Sequence, residues 1–459
     1  MNISNRNQIN IQDAKVTVIG FGRSGMGAAR LSNHFGAKTF ISDSKTNEEM
    51  ELQGKMLEAE RIQIELSGHS DRIFDADLWI ISPGIAQDAP IVIEAKSKNI
   101  PIVSEIEFAS WFTNEVIIGI TGSNGKTTTV NILYKMCKVN NLSPALAGNV
   151  GIAFSDAVLD DLVNPPTSRV YVLEISSFQM EQIIHFKPFI SVFLNITPDH
   201  LDRYSTIEKY IQAKLNMVKN QDENDHIIFN ADDSVLCNKF NGVPSKTHAF
   251  SLTGTGDTLF TMNATKIYDE AHATLIQLDE LALLGRHNLA NSLAAATAAR
   301  LMGVPNSRIT QVMSSFVGVP HRLERVLEMN GVTYYNDSKA TNVDAVKVAL
   351  DSFENDIHLI LGGKDKGGQF SQLLPHAQNK VKEIVAYGQA GETISNALGD
   401  AVKLECVSSL RDAIEICYLR AVSGDIVLLS PGCASFDQFN NFEERGNTYK
   451  SIIAEMVTQ

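Results

Sequence analysis

Cysteine is scarce. The 459 residues hold five, Cys137, Cys237, Cys406, Cys417 and Cys433, and no C-x-x-C pair. That excludes a zinc ribbon and a disulfide framework and fits a reducing, cytoplasmic compartment. Basic residues are in deficit, 39 against 53 acidic, for a net charge of −14. Such a chain lacks the footprint of a general binder of nucleic acid or anionic membrane. A small anionic ligand needs only local positive potential. No apolar run reaches the roughly 18 residues of a spanning helix. The opening stretch MNISNRNQINIQ lacks the apolar segment of a signal peptide. Low-complexity linkers and fixed-period repeats are missing too. What remains is globular: 44% hydrophobic and 20% charged, which excludes disorder. The length suits about three domains.

Short apolar runs recur to the end of the chain, each followed by a glycine-containing turn and a helical segment. Strands are expected at KVTVIG (15–20), KTFIS (38–42), LWIIS (78–82), VIIGI (116–120), VYVLEIS, ISVFLNI (190–196), HIIFN (226–230), HLILGG (358–363), EIVAYG (383–388) and DIVLLS (425–430). The runs are continuous, as in parallel strands buried on both faces. Alternation with helical segments such as NVDAVKVALDSF predicts doubly wound α/β domains. Breaks near 112–115 and in GVPHR near 318–322 divide the chain into 1–112, 113–318 and 319–459. Residues 241–280, with scattered glycine and threonine, are expected to form a small antiparallel excursion.

Two glycine turns follow strands. KVTVIGFGRSG sets Gly20, Gly22 and Gly25 in G-x-G-x-x-G spacing, with Asp43 ending the next strand. This is a dinucleotide fingerprint: a tight turn, a helix N-terminus aimed at phosphate and an acid for a ribose. Alone it reads as an NAD site, yet the geometry serves any nucleotide diphosphate. Ser82, Pro83 and Gly84 follow a later strand and belong to the same carboxyl edge. The second turn, VIIGITGSNGKTTT, is more specific. Gly122, Ser123, Asn124, Gly125, Lys126, Thr127 and Thr128 run from a strand into a helix. Backbone N–H groups of such a loop cradle phosphate, Lys126 reaches the β- and γ-phosphates, and the Thr127 hydroxyl suits Mg2+. The spacing departs from the usual phosphate loop. Ile120 stands five before Gly125, and glycine stands at 119 and 122 instead. An enzyme joining ATP to a nucleotide-carrying substrate would use both turns.

Polar residues gather after other strands. Glu174 ends VYVLE, where a second Mg2+ ligand belongs. NITPDHLDRY places Asp199, His200 and Asp202 past the next strand, His200 being a candidate metal ligand. Lys214, on a half-apolar helix, reads from its neighbours as a snorkelling surface lysine. His287, Asn288 and Asn291 open an alanine-rich helix, where amides serve as caps or meet an adenine edge. His321 and Arg322 sit at the predicted boundary, and an arginine fork suits phosphate. Three dense patches close the chain: Asn336 to Asn342, Gly362 to Gly368 and Ser430 to Phe439. Their lysines and hydroxyls suit a small carboxylate substrate. Cys433 lacks an evident histidine partner, which argues against a nucleophile.

GITGSNGKTTT, EISSFQ, NITPDHLDRY, GRHNLANSLAA, GVPHRLE and NDSKATN together resemble the Mur ligases of bacterial cell-wall synthesis, over essentially the whole chain. LGGKDKG and SPGCASFDQFNNFEERG resemble the branch that adds D-glutamate. The Asp-Asn-Pro-Arg motif expected of a diaminopimelate-adding relative is absent. The resemblance implies three α/β domains: Rossmann-like, P-loop ATPase-like, and Rossmann-like again. It implies that ATP phosphorylates the carboxylate of UDP-N-acetylmuramoyl-L-alanine and that the amine of D-glutamate then displaces phosphate. ATP and Mg2+ are the implied cofactors, and a monomer without macromolecular partners the implied state.

By position, Lys126, Glu174, His200 and Lys214 form the implied catalytic set. Thr127, Glu174, His200 and Lys214, the last carbamylated by CO2, would hold metal. Residues Gly122 to Thr128 with Asn291, His321, Arg322 and Asp337 would bind ATP. Arg23, Ser24, Ser44, Lys45, Ser82, Pro83, Gly84 and Asn149 would meet the UDP substrate. Lys339, Thr341, Lys366, Ser435, Phe436 and Phe442 would surround D-glutamate. Phe436 departs from the leucine familiar at its position. Closure of the third domain is expected to assemble the site. Three rivals stand beside this reading. A folylpolyglutamate synthase would lack residues like 1–112. A regulatory module would bind ATP without turnover. An NAD dehydrogenase would transfer hydride.

Overall fold

The Val-, Ile- and Leu-rich runs form parallel sheets, as their continuity predicts. The computed structural model describes residues 3–138, 141–197, 201–283, 285–353, 356–365, 367–399 and 401–457. The chain divides into two compact units, Met1–Phe316 and Val317–Gln459.

The first unit holds two parallel sheets. One contains β1 (Lys15–Ile19), β2 (Lys38–Ser42), β3 (Gln63–Glu65), β4 (Leu78–Ile81) and β5 (Ile102–Ser104), in the order β3-β2-β1-β4-β5. Val18 and Ile80 pack on one face and Ile19, Trp79 and Ile81 on the other. That two-sided burial is why the runs are continuous. The other sheet contains β6 (Val116–Thr121), β7 (Ser143–Gly148), β8 (Arg169–Glu174), β9 (Ile190–Phe193), β10 (His226–Asn230) and β11 (Lys246–Phe250). Its order is β11-β10-β9-β6-β8-β7. The expected antiparallel excursion is present as β12 (Phe260–Met262), β13 (Lys266–Asp269) and β14 (Thr274–Gln277). Residues 246–250 do not belong to it. They pair parallel with β10 as an edge strand whose first two residues are exposed, so no continuous apolar run marks them. The helix Arg286–Leu301 buries Ala294, Ala295, Ala296, Ala298 and Ala299 and packs against the helix Lys126–Lys138. Small side chains permit that close approach.

The second unit holds β15 (Glu324–Met329), β16 (Val332–Asn336), β17 (Ile357–Gly362), β18 (Val381–Tyr387), β19 (Leu404–Val407) and β20 (Ile426–Gly432). Their order is β15-β16-β20-β17-β18-β19, with β15 antiparallel and the others parallel. Leu359, Leu361 and Leu428 face one core, and Ile360, Val427 and Leu429 the other. Among the described residues no helix is long and apolar enough to cross a membrane.

Candidate active site

Strand order builds the first half of the site. β6 lies between β9 and β8, with Ile120 opposite Glu174 and Thr121 opposite Phe193. The loops after these three strands therefore emerge side by side at the carboxyl edge, where open α/β sheets bind ligands. The loop after β6 is tied to the loop after β9. The Ser123 N–H donates to the Asn195 carbonyl at 3.0 Å, and the Asn124 N–H donates to Asn195 Oδ1 at 2.8 Å. Ser123 Oγ lies 2.9 Å from the Tyr210 hydroxyl and accepts the Thr197 N–H at 3.0 Å. Gly125 has φ +85°, and a Cβ there would collide with the amide of Asn291, which is buried. Glycine is required at that approach. Thr127 is buried at the start of the following helix, and Lys126 Nζ donates to the carbonyls of Gly122 and Ser123, each at 2.8 Å.

Glu174 is buried at the end of β8. The Asn149 side-chain amide donates to its Oε1 at 2.8 Å, and the Asn149 N–H donates to its carbonyl at 2.8 Å. Oε2 has no hydrogen-bond partner among the described residues. A buried carboxylate oxygen without a donor calls for a cation or a ligand donor.

Lys214 corrects the reading from its neighbours. It is not a surface residue: its side chain is 2% exposed. Nζ donates to the Gly122 carbonyl at 3.0 Å and lies 4.5 Å from the centre of the Tyr210 ring. The face of the helix Ile207–Leu215 that carries Lys214 docks under the phosphate loop, and only tertiary placement reveals that. Asp199 and His200 lie outside the described residues, and Asp202 falls in the helix Leu201–Tyr204.

At the first sheet, the glycine turn and the Ser82–Gly84 loop meet at the switch between β1 and β4. Ser82 Oγ donates to the Gly20 carbonyl at 3.4 Å. Asp43 is spent on the turn itself, accepting the N–H groups of Phe21 at 2.8 Å and Lys45 at 2.9 Å. Arg23 Nη2 donates to the Asn149 carbonyl at 2.9 Å, so these two expected residues come together. Ser24 is half-buried beside Arg23, whereas Ser44 and Lys45 are exposed. Arg203 fixes Pro83 from the other sheet, donating to the carbonyls of Pro83 at 2.8 Å and Ile85 at 2.9 Å while paired with Glu181.

In the second unit, β16, β20 and β17 are neighbours, so the three dense patches share one edge. Asp337 is buried and accepts from Ser430 Oγ at 2.8 Å and the Leu323 N–H at 3.2 Å. Burial pushes its carboxyl up to about 7 against those donors and the nearby Arg322 and Arg445. His321 has φ +65° and is buried against the backbone of Gly446. Burial lowers its imidazole below the ordinary value, and the Asn336 amide donates to Nδ1 at 3.0 Å. Lys339 Nζ lies 5.9 Å from the centre of the Phe442 ring. Thr341 is half-buried, Ser435 buried and Phe436 62% exposed. Lys366 lies outside the described residues. The Cys433 thiol is buried and pushed up to about 12, which weighs further against a nucleophile.

Residues 15–91 match the MurD N-terminal domain, 120–299 the Mur ligase middle domain and 321–433 the Mur ligase glutamate ligase domain. A protein named UDP-N-acetylmuramoylalanine–D-glutamate ligase from Christiangramia forsetii is 40% identical over 457 residues, covering 96% of this chain and 99% of that protein. The chain belongs to the Mur ligase family. A relative of the same name from Geobacillus sp. strain WCH70 is 40% identical over 97% of this chain and 98% of its own. Two solved Mur ligases share the fold. UDP-N-acetylmuramate-alanine ligase MurC from Thermotoga maritima has a TM-score of 0.58 at 17% identity, over 96% of this chain and 100% of that one. MurF ligase from Thermotoga maritima, solved with ADP, has a TM-score of 0.55 at 18% identity, over 99% and 98%.

Within this Mur ligase, sequence reading passed over Asn195, Tyr210, Arg203 and Arg445. Asn195 and Arg203 lie inside NITPDHLDRY, and Arg445 inside FEERG. Arg445 is fully buried. It donates to Ser338 Oγ at 2.9 Å, the Ser338 carbonyl at 2.7 Å and the Cys433 carbonyl at 3.1 Å, binding two of the polar patches together. Each of these residues holds a loop rather than opening onto it, so a motif marks it only as one letter among many.

Proposed function

We propose that this Mur ligase joins D-glutamate to UDP-N-acetylmuramoyl-L-alanine with cleavage of ATP to ADP and phosphate, in the cytoplasm and as a monomer. The observation that carries the reading is the extent of its similarity to the named D-glutamate ligases. It runs through all three matched segments, the MurD N-terminal domain included. Residues 1–112 serve the UDP substrate, 113–318 ATP, and 319–459 the amino acid.

ATP transfers its γ-phosphoryl group to the substrate carboxylate, giving an acyl phosphate. The D-glutamate amine attacks the acyl carbon, the amide forms and phosphate leaves. Backbone N–H groups of Gly122 to Thr128 and the Lys126 ammonium bind the phosphates, and Asn291, His321, Arg322 and Asp337 are assigned to ATP on the family resemblance alone. Thr127, Glu174 and His200, with Lys214 as a carbamate, would hold Mg2+, which would supply positive charge to the transferring phosphoryl group. Two features support that donor set. Glu174 Oε2 is buried without a donor among the described residues, and the ammonium groups of Lys126 and Lys214 converge on one carbonyl, Gly122. Turning one of those cations into a carbamate anion replaces repulsion with attraction. Ser24, Ser44, Lys45, Ser82, Pro83, Gly84 and Asn149 orient the UDP substrate, with Arg23 beside them in the turn. Lys339, Thr341, Lys366, Ser435, Phe436 and Phe442 orient D-glutamate.

The test is phosphate release by purified protein with ATP, Mg2+ and UDP-N-acetylmuramoyl-L-alanine, comparing D-glutamate, L-glutamate and meso-diaminopimelate. Release with D-glutamate alone is expected. Silence with all three, with ADP still bound, would overturn the reading in favour of a regulatory module.

A further inference from the structure

We infer that Arg23 is a positioning residue for the Glu174 carboxylate, acting through Asn149. The inference rests on the ligase reading above and changes the task of Arg23 within it. Arg23 opens the helix after the glycine turn, yet its Nη2 reaches the second sheet and donates to the Asn149 carbonyl at 2.9 Å. Asn149 in turn holds Glu174 twice, by its N–H to the carbonyl and by its side-chain amide to Oε1, each at 2.8 Å. Since Oε2 has no partner among the described residues, the Asn149 amide sets the direction of the carboxylate.

The segment that carries Asn149 has little freedom of its own. Gly148 and Gly151 turn it sharply with φ of +95° and +80°. The helices of the first sheet also grip its far end. Glu105, itself buried, accepts the Ser155 N–H at 2.6 Å. A Cβ on Gly27 would fall 2.9 Å from Ala153 Cβ, and Arg30 lies 3.5 Å from Asp156. Residues 149–156 are thus fixed at one end by Glu105 and Arg30 and at the other by Arg23. Only the Arg23 end bears directly on the Glu174 carboxylate. One guanidinium therefore connects the diphosphate turn of the first sheet with the metal-side acid of the second.

The test uses the full chain with Arg23→Met, which keeps the stem and removes the fork, and Arg23→Lys, which keeps the charge. Mn2+ binding is measured by electron paramagnetic resonance in the presence of ADP, together with kcat and the KM for each substrate. Arg23→Met is expected to weaken Mn2+ about fivefold to tenfold, the effect of one hydrogen bond of ordinary strength. It should lower kcat and leave the KM for UDP-N-acetylmuramoyl-L-alanine within about twofold. Arg23→Lys should recover part of the Mn2+ affinity. Parental Mn2+ affinity in Arg23→Met overturns the inference. If the KM for the UDP substrate rises at the same time, Arg23 is a direct nucleotide contact instead. A parent that binds Mn2+ with ADP yet makes no product refutes the ligase reading and leaves the Mn2+ comparison intact.

Discussion

Replacing Gly125 by alanine will cripple nucleotide binding, for two separable reasons. The backbone there has φ +85°, and a side chain in that region costs about 1–2 kcal/mol. The new Cβ would also collide with Asn291 Oδ1 and fall 3.0 Å from its Cγ. Asn291 cannot retreat easily, because it is 5% exposed on a helix packed through buried alanines. Overpacking of this kind costs about 1–3 kcal/mol. The sum, about 2–5 kcal/mol, corresponds to a loss of roughly 30-fold or more in ADP affinity. Titration calorimetry with ADP and Mg2+ measures it. Asn291→Ala removes the obstruction but not the backbone strain. In the Gly125→Ala/Asn291→Ala double variant the steric part should therefore return, as a coupling of about 1–3 kcal/mol. Gly125→Ala binding ADP within threefold of the parent would refute the reasoning. So would strictly additive losses, which would mean that Asn291 does not limit the loop.

Two further outcomes follow from buried groups. Asp337 has its carboxyl pushed up to about 7 from an ordinary 3.8, so folding favours its protonated form. Its contribution to stability is full below about pH 4 and is lost as pH rises to about 7, by up to about 4 kcal/mol. Asp337→Asn removes that dependence. Its unfolding midpoint relative to the parent should climb between pH 5 and 8 in scanning calorimetry, and a constant offset would contradict a buried neutral acid. Cys433, with its thiol pushed up to about 12, should resist iodoacetamide near pH 8 in the native protein while the exposed Cys406 reacts. Cys433→Ser should keep kcat, and rapid alkylation or lost turnover would restore the nucleophile.

The parallel sheets were legible because strands such as β4, β17 and β20 bury both faces and so read as unbroken apolar runs. Edge strands were not. β7, SPALAG, mixes proline and glycine with alanine, and β11 exposes its first residues. The glycine turns and the strand-end place of Glu174 were legible because backbone geometry and charge restrict what those positions accept, whereas the packing of Asn291 on Gly125 was not. Lys214 was not, since its neighbours on one helix say nothing about the loop that covers it. The link from Arg23 to Asn149 spans 126 residues of sequence, and no local pattern encodes it.

The position of β6 in the middle of its sheet has a consequence for the protein as it is synthesised. The phosphate loop is translated early, but Glu174 and Asn195, which stand beside it, come from β8 and from the loop after β9. Asn291, packed on Gly125, comes a hundred and more residues later. Such non-local pairings form only when their later partners have emerged. A growing chain that exposes the loop alone therefore lacks the neighbours that brace it. On the ligase reading, capture of ATP would therefore report that these distant partners have found the loop.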